Sequence, residues 1–180
     1  MAAKILIVDD HDVVRQGVRS IISKARPEWV ICGEASDGEQ AVKAAVNLKP
    51  DVVVLDVTMP VMNGLEAASR IVKSVGTCRV LILTMHESER LCADVQIVGA
   101  RGYVQKSQAG RDLVRAIDRL LAGGTFFGSE ADEKREAREK SDKPNPAVSS
   151  RSRLRFPKFG ATKIWDVRIA ALPHKSCISA

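Results

Sequence analysis

Residues 52–55 read Val-Val-Val-Leu, an unbroken apolar run that stops at Asp56. A run this short, with no polar alternation, is expected of a strand covered on both faces. The pattern recurs along the chain. Residues 4–8 (KILIV) stop at Asp9 and Asp10, residues 79–83 (RVLIL) stop at Thr84, and residues 102–104 (GYV) end just before Lys106. Residues 29–34 (WVICGE) read as a further strand. Segments of helical period lie between these runs. Val14, Val18, Ile21 and Ile22 share one face over 11–25, which Pro27 ends. Ala41, Val42, Ala45 and Val46 form the apolar face of a second helix, capped by Ser36 or Asp37. Helices are also predicted over 64–73, 88–98 and 112–122, the last carrying Leu113, Ile117, Leu120 and Leu121 and stopped by Gly123-Gly124.

Five strands alternating with five helices imply βαβ units, a doubly wound parallel α/β sheet and helices on both faces. In such sheets a ligand sits at the carboxyl ends of the strands. Asp9, Asp10, Asp56, Thr84 and Lys106 all follow strand ends, so they are expected at one edge although scattered in sequence. Three carboxylates in one cleft repel each other, so one takes up a proton or a divalent cation neutralises them. An all-oxygen site with few protein ligands suits Mg²⁺. A carboxylate beside Mg²⁺ can act as a nucleophile on phosphorus, with Lys106 as the cation and Thr84 as a hydroxyl donor to the transferring oxygens. Taken singly, an acid pair after a strand serves as a cap, a lysine is solvated surface, and a threonine or tyrosine packs locally. Together, at the strand ends of one α/β unit, they point to this chemistry.

The acid pair of VDD, the Asp of LDVTMPVMNG, the Thr of LILTMHE and the Lys of GYVQKS stand in an order that resembles the response-regulator receiver domain of two-component signalling, over about residues 4–122. DHDVVRQGVRSII and LLAGGTFF resemble the nitrate- and nitrogen-fixation-type (NarL/FixJ-type) subfamily. The resemblance implies a flavodoxin-like (βα)5 fold of strand order 2-1-3-4-5. It implies that Asp56 accepts phosphate from a sensor histidine kinase or phosphotransfer protein. Asp10 would then ligate Mg²⁺ directly, Asp9 through water or as a second acid, and Thr58 through its backbone carbonyl. Lys106 would pair with the phosphoryl group, Thr84 would move toward it, and Tyr103 would rotate inward as the face of the fourth helix, fifth strand and fifth helix rearranges. Thr58 and His86 occupy positions that influence hydrolysis of the acyl phosphate. His11 and His86 read as rim residues. Such a chain is a switch acting on itself rather than a turnover enzyme, and homodimers or heterodimers with related regulators are a family expectation.

The resemblance covers only part of the 180 residues. Residues 1–125 are expected to be the receiver, 126–150 a charged Pro/Ser linker, and 151–180 a basic tail with no recognised domain. The net charge of +6 belongs to that tail: residues 1–128 hold 16 Lys and Arg against 15 Asp and Glu, and residues 151–180 hold 7 against 1. Thirty residues interrupted by Pro157 and Pro173 cannot hold a helix-turn-helix domain, so specific DNA binding is not expected of them. Two alternatives stay open there. One is DNA binding through the basic tail with Phe156, Phe159 and Trp165; the other is a truncated or frameshifted remnant of an output domain. Cys32, Cys78, Cys92 and Cys177 make no CxxC pair, which argues against a disulfide or zinc scaffold. No apolar run approaches the ~20 residues of a membrane span, and the acid pair cuts the N-terminal run short of a signal peptide, so a cytoplasmic protein is expected.

Overall fold

The computed structural model describes residues 2–86 and 88–128. The expected tail over 151–180 and the linker beyond residue 128 lie outside the described residues, with His174 and Cys177. The element order is β1 (Lys4–Val8), α1 (Asp12–Ala25), β2 (Val30–Ala35), α2 (Gly38–Leu48), β3 (Val52–Asp56), α3 (Gly64–Ser74), β4 (Arg79–Thr84), α4 (Glu89–Ile97), β5 (Gly102–Gln105), α5 (Ala109–Leu121) and β6 (Phe126–Phe127). The sheet order is β2-β1-β3-β4-β5-β6, with each neighbouring pair parallel. This is the expected flavodoxin-like α/β fold with one strand added.

Alternation within each apolar strand feeds two separate cores. Leu6, Val8, Val53, Leu55, Val80 and Ile82 point to the side covered by α2 and α3, where Ala41, Ala45, Ala67, Ala68 and Ile71 meet them. Ile5, Ile7, Val52, Val54, Leu81 and Leu83 point to the other side, packed by Val18 and Ile22 of α1 and Leu113, Ile117 and Leu120 of α5. Both faces are dry, which is why β3 carries no polar residue before Asp56. Truncating any of these fully buried leucines or isoleucines to alanine costs about 2–5 kcal/mol.

Capping sets where the helices start. The Asp37 carboxylate accepts the Gln40 amide at 2.8 Å, Asn63 Oδ1 accepts the Glu66 amide at 2.9 Å, and Ser88 Oγ accepts the Leu91 amide at 3.1 Å. The α2 cap is therefore Asp37 rather than Ser36. A 3-10 turn over Lys106–Gln108 brings α5 in at Ala109, earlier than its apolar spacing predicts.

The sixth strand was not anticipated. It is two residues long, too short to show a period, and its signal is the Phe-Phe pair after the glycines. Gly123, at φ 88°, turns the chain back beside β5. Phe126 then enters the α1/α5 core and Phe127 the opposite one. Gly102 permits this pairing, since a Cβ there would lie 1.9 Å from the Phe126 carbonyl oxygen. Cys32, Cys78 and Cys92 are free thiols. Among the described residues, no helix is long and apolar enough to cross a membrane.

Candidate functional site

The parallel sheet brings the carboxyl ends of β1, β3, β4 and β5 to one edge. Asp9 directly follows β1 and is fully buried; Asp56 closes β3 at 2 % exposure; Thr84 closes β4. Lys106 leaves β5 and reaches back across the edge. Its Nζ lies 2.7 Å from Asp9 Oδ2 and 3.0 Å from Asp56 Oδ2. One ammonium thus bridges two buried carboxylates from two other strands.

Burial raises the Asp56 carboxyl above its ordinary value. Lys106 opposes that shift, Asp9 adds to it, and the Thr58 backbone amide donates to the carboxylate and opposes it again. For Lys106, burial works against the charge, but the bonds to Asp9 and Asp56 outweigh it and hold the ammonium above its usual value. The lysine therefore stays charged, and it keeps the Asp56 carboxylate from drifting further toward the neutral form.

Asp10 stands half-exposed beside this pair. His11 Nδ1 lies 2.8 Å from Asp10 Oδ1 and 3.4 Å from Asp9 Oδ1, and the His11 amide donates to Asp9 Oδ1 at 2.9 Å. Ligand atoms of Asp9, Asp10 and His11 lie within 4.8 Å of one another. Asp9 Oδ2 and Asp10 Oδ1 are buried oxygens that accept no aligned hydrogen bond. Lys106 Nζ faces the first of these oxygens and His11 Nδ1 the second. A hard divalent cation with oxygen ligands fits this donor set.

Thr84 turns toward its own loop. Its hydroxyl donates to the His86 carbonyl at 2.8 Å and accepts from the His86 amide at 3.3 Å. The His86 side chain is exposed. Tyr103 is buried at 3 % exposure, with its ring edge-on to Phe127 at 6.1 Å between centroids. The Thr58 side chain is exposed.

The loop between β3 and α3 is held tightly over Asp56. The Gly64 amide donates to the Val57 carbonyl at 2.9 Å, and a Cβ on Gly64 would lie 1.9 Å from the Asp56 carbonyl oxygen. Val61, 80 % exposed, takes φ 67°, a left-handed conformation unusual for a β-branched residue.

Sequence reasoning passed over Arg15. It lies one turn into α1, and its Nη1 donates to the Asp9 carbonyl at 2.7 Å. Helical period marks position 15 as polar but cannot say that it reaches back to the acid pair.

Residues 5–118 match the family described as the response regulator receiver domain. The chain is 39 % identical over 126 residues to "Response regulator UvrY" of Escherichia coli (strain K12), covering 70 % of this chain and 57 % of the relative. It is 37 % identical over 121 residues to "Nitrate/nitrite response regulator protein NarL" of Escherichia coli (strain K12), covering 67 % and 56 %. The chain thus spans a little over half the length of these curated relatives. Among solved structures, a LuxR-family two-component response regulator from Aurantimonas sp. SI85-9A1 superposes with a TM-score of 0.69 and 38 % identity, covering 77 % of this chain and 99 % of that one. The response regulator domain of Thermotoga maritima CheB superposes with a TM-score of 0.62 at 28 % identity, covering 68 % and 98 %.

Proposed function

The chain belongs to the response regulator receiver domain family of two-component signalling, and on that premise we propose that Asp56 accepts a phosphoryl group from a partner histidine kinase or phosphotransfer protein. The observation that carries this reading is the Lys106 ammonium bridging Asp9 and Asp56. An ionised Asp56 oxygen attacks phosphorus, a P–O bond forms, and the P–N bond to the donor imidazole breaks. The leaving imidazole carries the electron pair of that bond. Lys106 then holds a phosphoryl oxygen as well as a carboxylate.

Asp9, Asp10, Asp56 and the Thr58 carbonyl are the groups that would hold Mg²⁺, and the buried Asp9 Oδ2 and Asp10 Oδ1, which accept no aligned hydrogen bond, support the first two. When bound, Mg²⁺ offsets the negative charge that gathers on the transferring oxygens. The residues do the rest. Lys106 favours the ionised form of Asp56, the Thr58 amide donates to its carboxylate, and the burial of Asp9 and Asp56 limits water.

Thr84 and Tyr103 are the proposed switch. Transfer places new negative charge beside the Thr84 hydroxyl, which then has a stronger acceptor than the His86 carbonyl. Movement there passes along β4 and β5 to Tyr103 and the α4–β5–α5 face, the proposed surface for a dimer or other partner. Thr58 and His86 flank the acceptor and are proposed to set the lifetime of the phosphorylated state. Output through residues 151–180 lies outside the described residues.

The test is incubation of the 180-residue chain with Mg²⁺ and acetyl phosphate, followed by mass spectrometry. A single acid-stable, base-labile phosphoryl adduct is expected, and it disappears in Asp56→Asn. No adduct, or an adduct that persists in Asp56→Asn, overturns the assignment.

A further inference from the structure

Every polar group of Asp9 is engaged. Its amide donates to the Ala35 carbonyl at 3.2 Å, its Oδ1 accepts the His11 amide, and its Oδ2 faces Lys106. The fourth group, the main-chain carbonyl, is held by Arg15. This carbonyl belongs to the peptide that joins Asp9 to Asp10, so its direction sets the plane from which the Asp10 side chain leaves.

Arg15 is itself anchored. Its Nε donates to Glu34 Oε2 on β2 at 3.2 Å, and its Nη2 pairs with Asp12. Its side chain is 14 % exposed. Glu34 is fixed in turn by Arg19, whose Nε donates to Glu34 Oε1 at 2.9 Å. Bonds from Arg19, and then from Arg15, hold the Glu34 carboxyl below the usual range against its partial burial. The guanidinium fork is therefore pinned from β2 while one arm points at the Asp9–Asp10 peptide. A planar, rigid donor suits that task better than a flexible ammonium.

We infer that Arg15 is a positioning residue for the acid pair: by fixing the Asp9 carbonyl from an anchor on Glu34, it aims the Asp10 carboxylate for the divalent cation. This rests on the proposed Mg²⁺ reading of the site, and goes beyond it by adding a group that touches neither the cation nor phosphate.

Charge and geometry make opposite predictions here. Arg15 is a cation beside an anionic site. By Coulomb's law alone, its removal should tighten Mg²⁺ binding. If Arg15 acts by positioning, its removal weakens binding, and groups that orient a ligand from behind typically matter by about 10–100-fold in metal affinity.

The test is Mg²⁺ titration of the full chain, followed by calorimetry and by the amide shifts of residues 9–11. Arg15→Met, which keeps much of the apolar stem and loses the donors, is expected to raise the dissociation constant about tenfold or more. Arg70→Ala is the control. It removes one positive charge from an exposed pair with Glu66 on α3 but touches neither Glu34 nor Asp9, and it is expected to stay within about twofold of the parent. At saturating Mg²⁺, Arg15→Met is expected to regain most of the parent rate with acetyl phosphate, because Arg15 does not touch the reacting atoms. Unchanged or tighter Mg²⁺ binding in Arg15→Met overturns the proposal, and so does an equal loss in Arg70→Ala. Should Arg15→Met fail to fold, Glu34→Gln decides the matter. It leaves Arg15 present but loosens its anchor, and a Mg²⁺ affinity equal to the parent's then refutes the inference. Failure of the underlying reading is visible separately, as parent-like Mg²⁺ binding in Asp10→Asn.

Discussion

Replacing Lys106 with methionine removes one charge and leaves two buried carboxylates facing each other. The Lys106 side chain is 13 % exposed, that of Asp9 1 % and that of Asp56 3 %, so water cannot take over the role of the ammonium. Opposite charges 3.0 Å apart attract by about 5–6 kcal/mol at an effective dielectric near 20, and the desolvation of the lysine offsets part of this. Breaking a buried pair by deleting one partner typically costs about 3–5 kcal/mol, and that is the expected loss of stability near pH 7 in metal-free buffer. The pH dependence of the loss is diagnostic. Asp56 already sits above its ordinary value of 3.8, chiefly through burial, and Lys106 is what restrains the shift. An acid whose folded pKa exceeds its unfolded pKa binds the extra proton in the folded state between those two values. Stability therefore falls as pH rises through that window, and it is regained on acidification toward the unfolded value. Without Lys106 the upper edge of the window moves higher, so the variant gains up to about 1.4 kcal/mol per pH unit on acidification across a wider range than the parent. Urea denaturation of both proteins between about pH 7 and pH 5 measures this directly. The gap between the two is expected to narrow as pH falls. Parallel curves, or a loss below about 1 kcal/mol at neutral pH, would refute the account of Lys106 as the counter-charge.

Two further predictions concern the loop above Asp56. Gly64→Ala places a Cβ 1.9 Å from the Asp56 carbonyl oxygen, so the loop must move; a loss of about 3 kcal/mol or more in urea denaturation is expected, with displaced amide resonances at Asp56. Val61→Gly relieves a left-handed conformation worth about 1–3 kcal/mol and gives back about 0.5–1 kcal/mol in unfolded-chain entropy. Because Val61 is 80 % exposed and has little packing to lose, a net gain near 1 kcal/mol is expected, and a less stable variant would contradict it.

The strands and the edge where they converge were legible because the apolar runs of β1, β3, β4 and β5 stop at or beside a candidate site residue. Asp56, Asp9 and Lys106 could be placed together before any geometry was known, since a parallel sheet leaves their strand ends nowhere else to go. Other features depend on direction rather than period. Whether Thr84 faces Asp56 or its own loop is a choice of rotamer, and the structure shows it bonded to His86. The reach of Arg15 back to the Asp9 carbonyl depends on a side-chain path past the helix start, which sequence spacing does not record. Gly64 stands in the Asn-Gly pair that marked a chain break, but its role against the Asp56 carbonyl is a contact between two backbones, with no side chain to announce it. The sixth strand was hidden because two residues cannot show alternation.

That sixth strand has a consequence for how the molecule meets copies of itself. Without it, β5 would be the last strand, with a row of unpaired peptide groups in a sheet that is apolar on both faces. Such an edge invites pairing with another chain. Phe126 and Phe127 pair with Gly102 and Tyr103, covering the first half of that edge while burying both rings. The missing side chain at Gly102 thus lets the chain cover part of its own sheet edge.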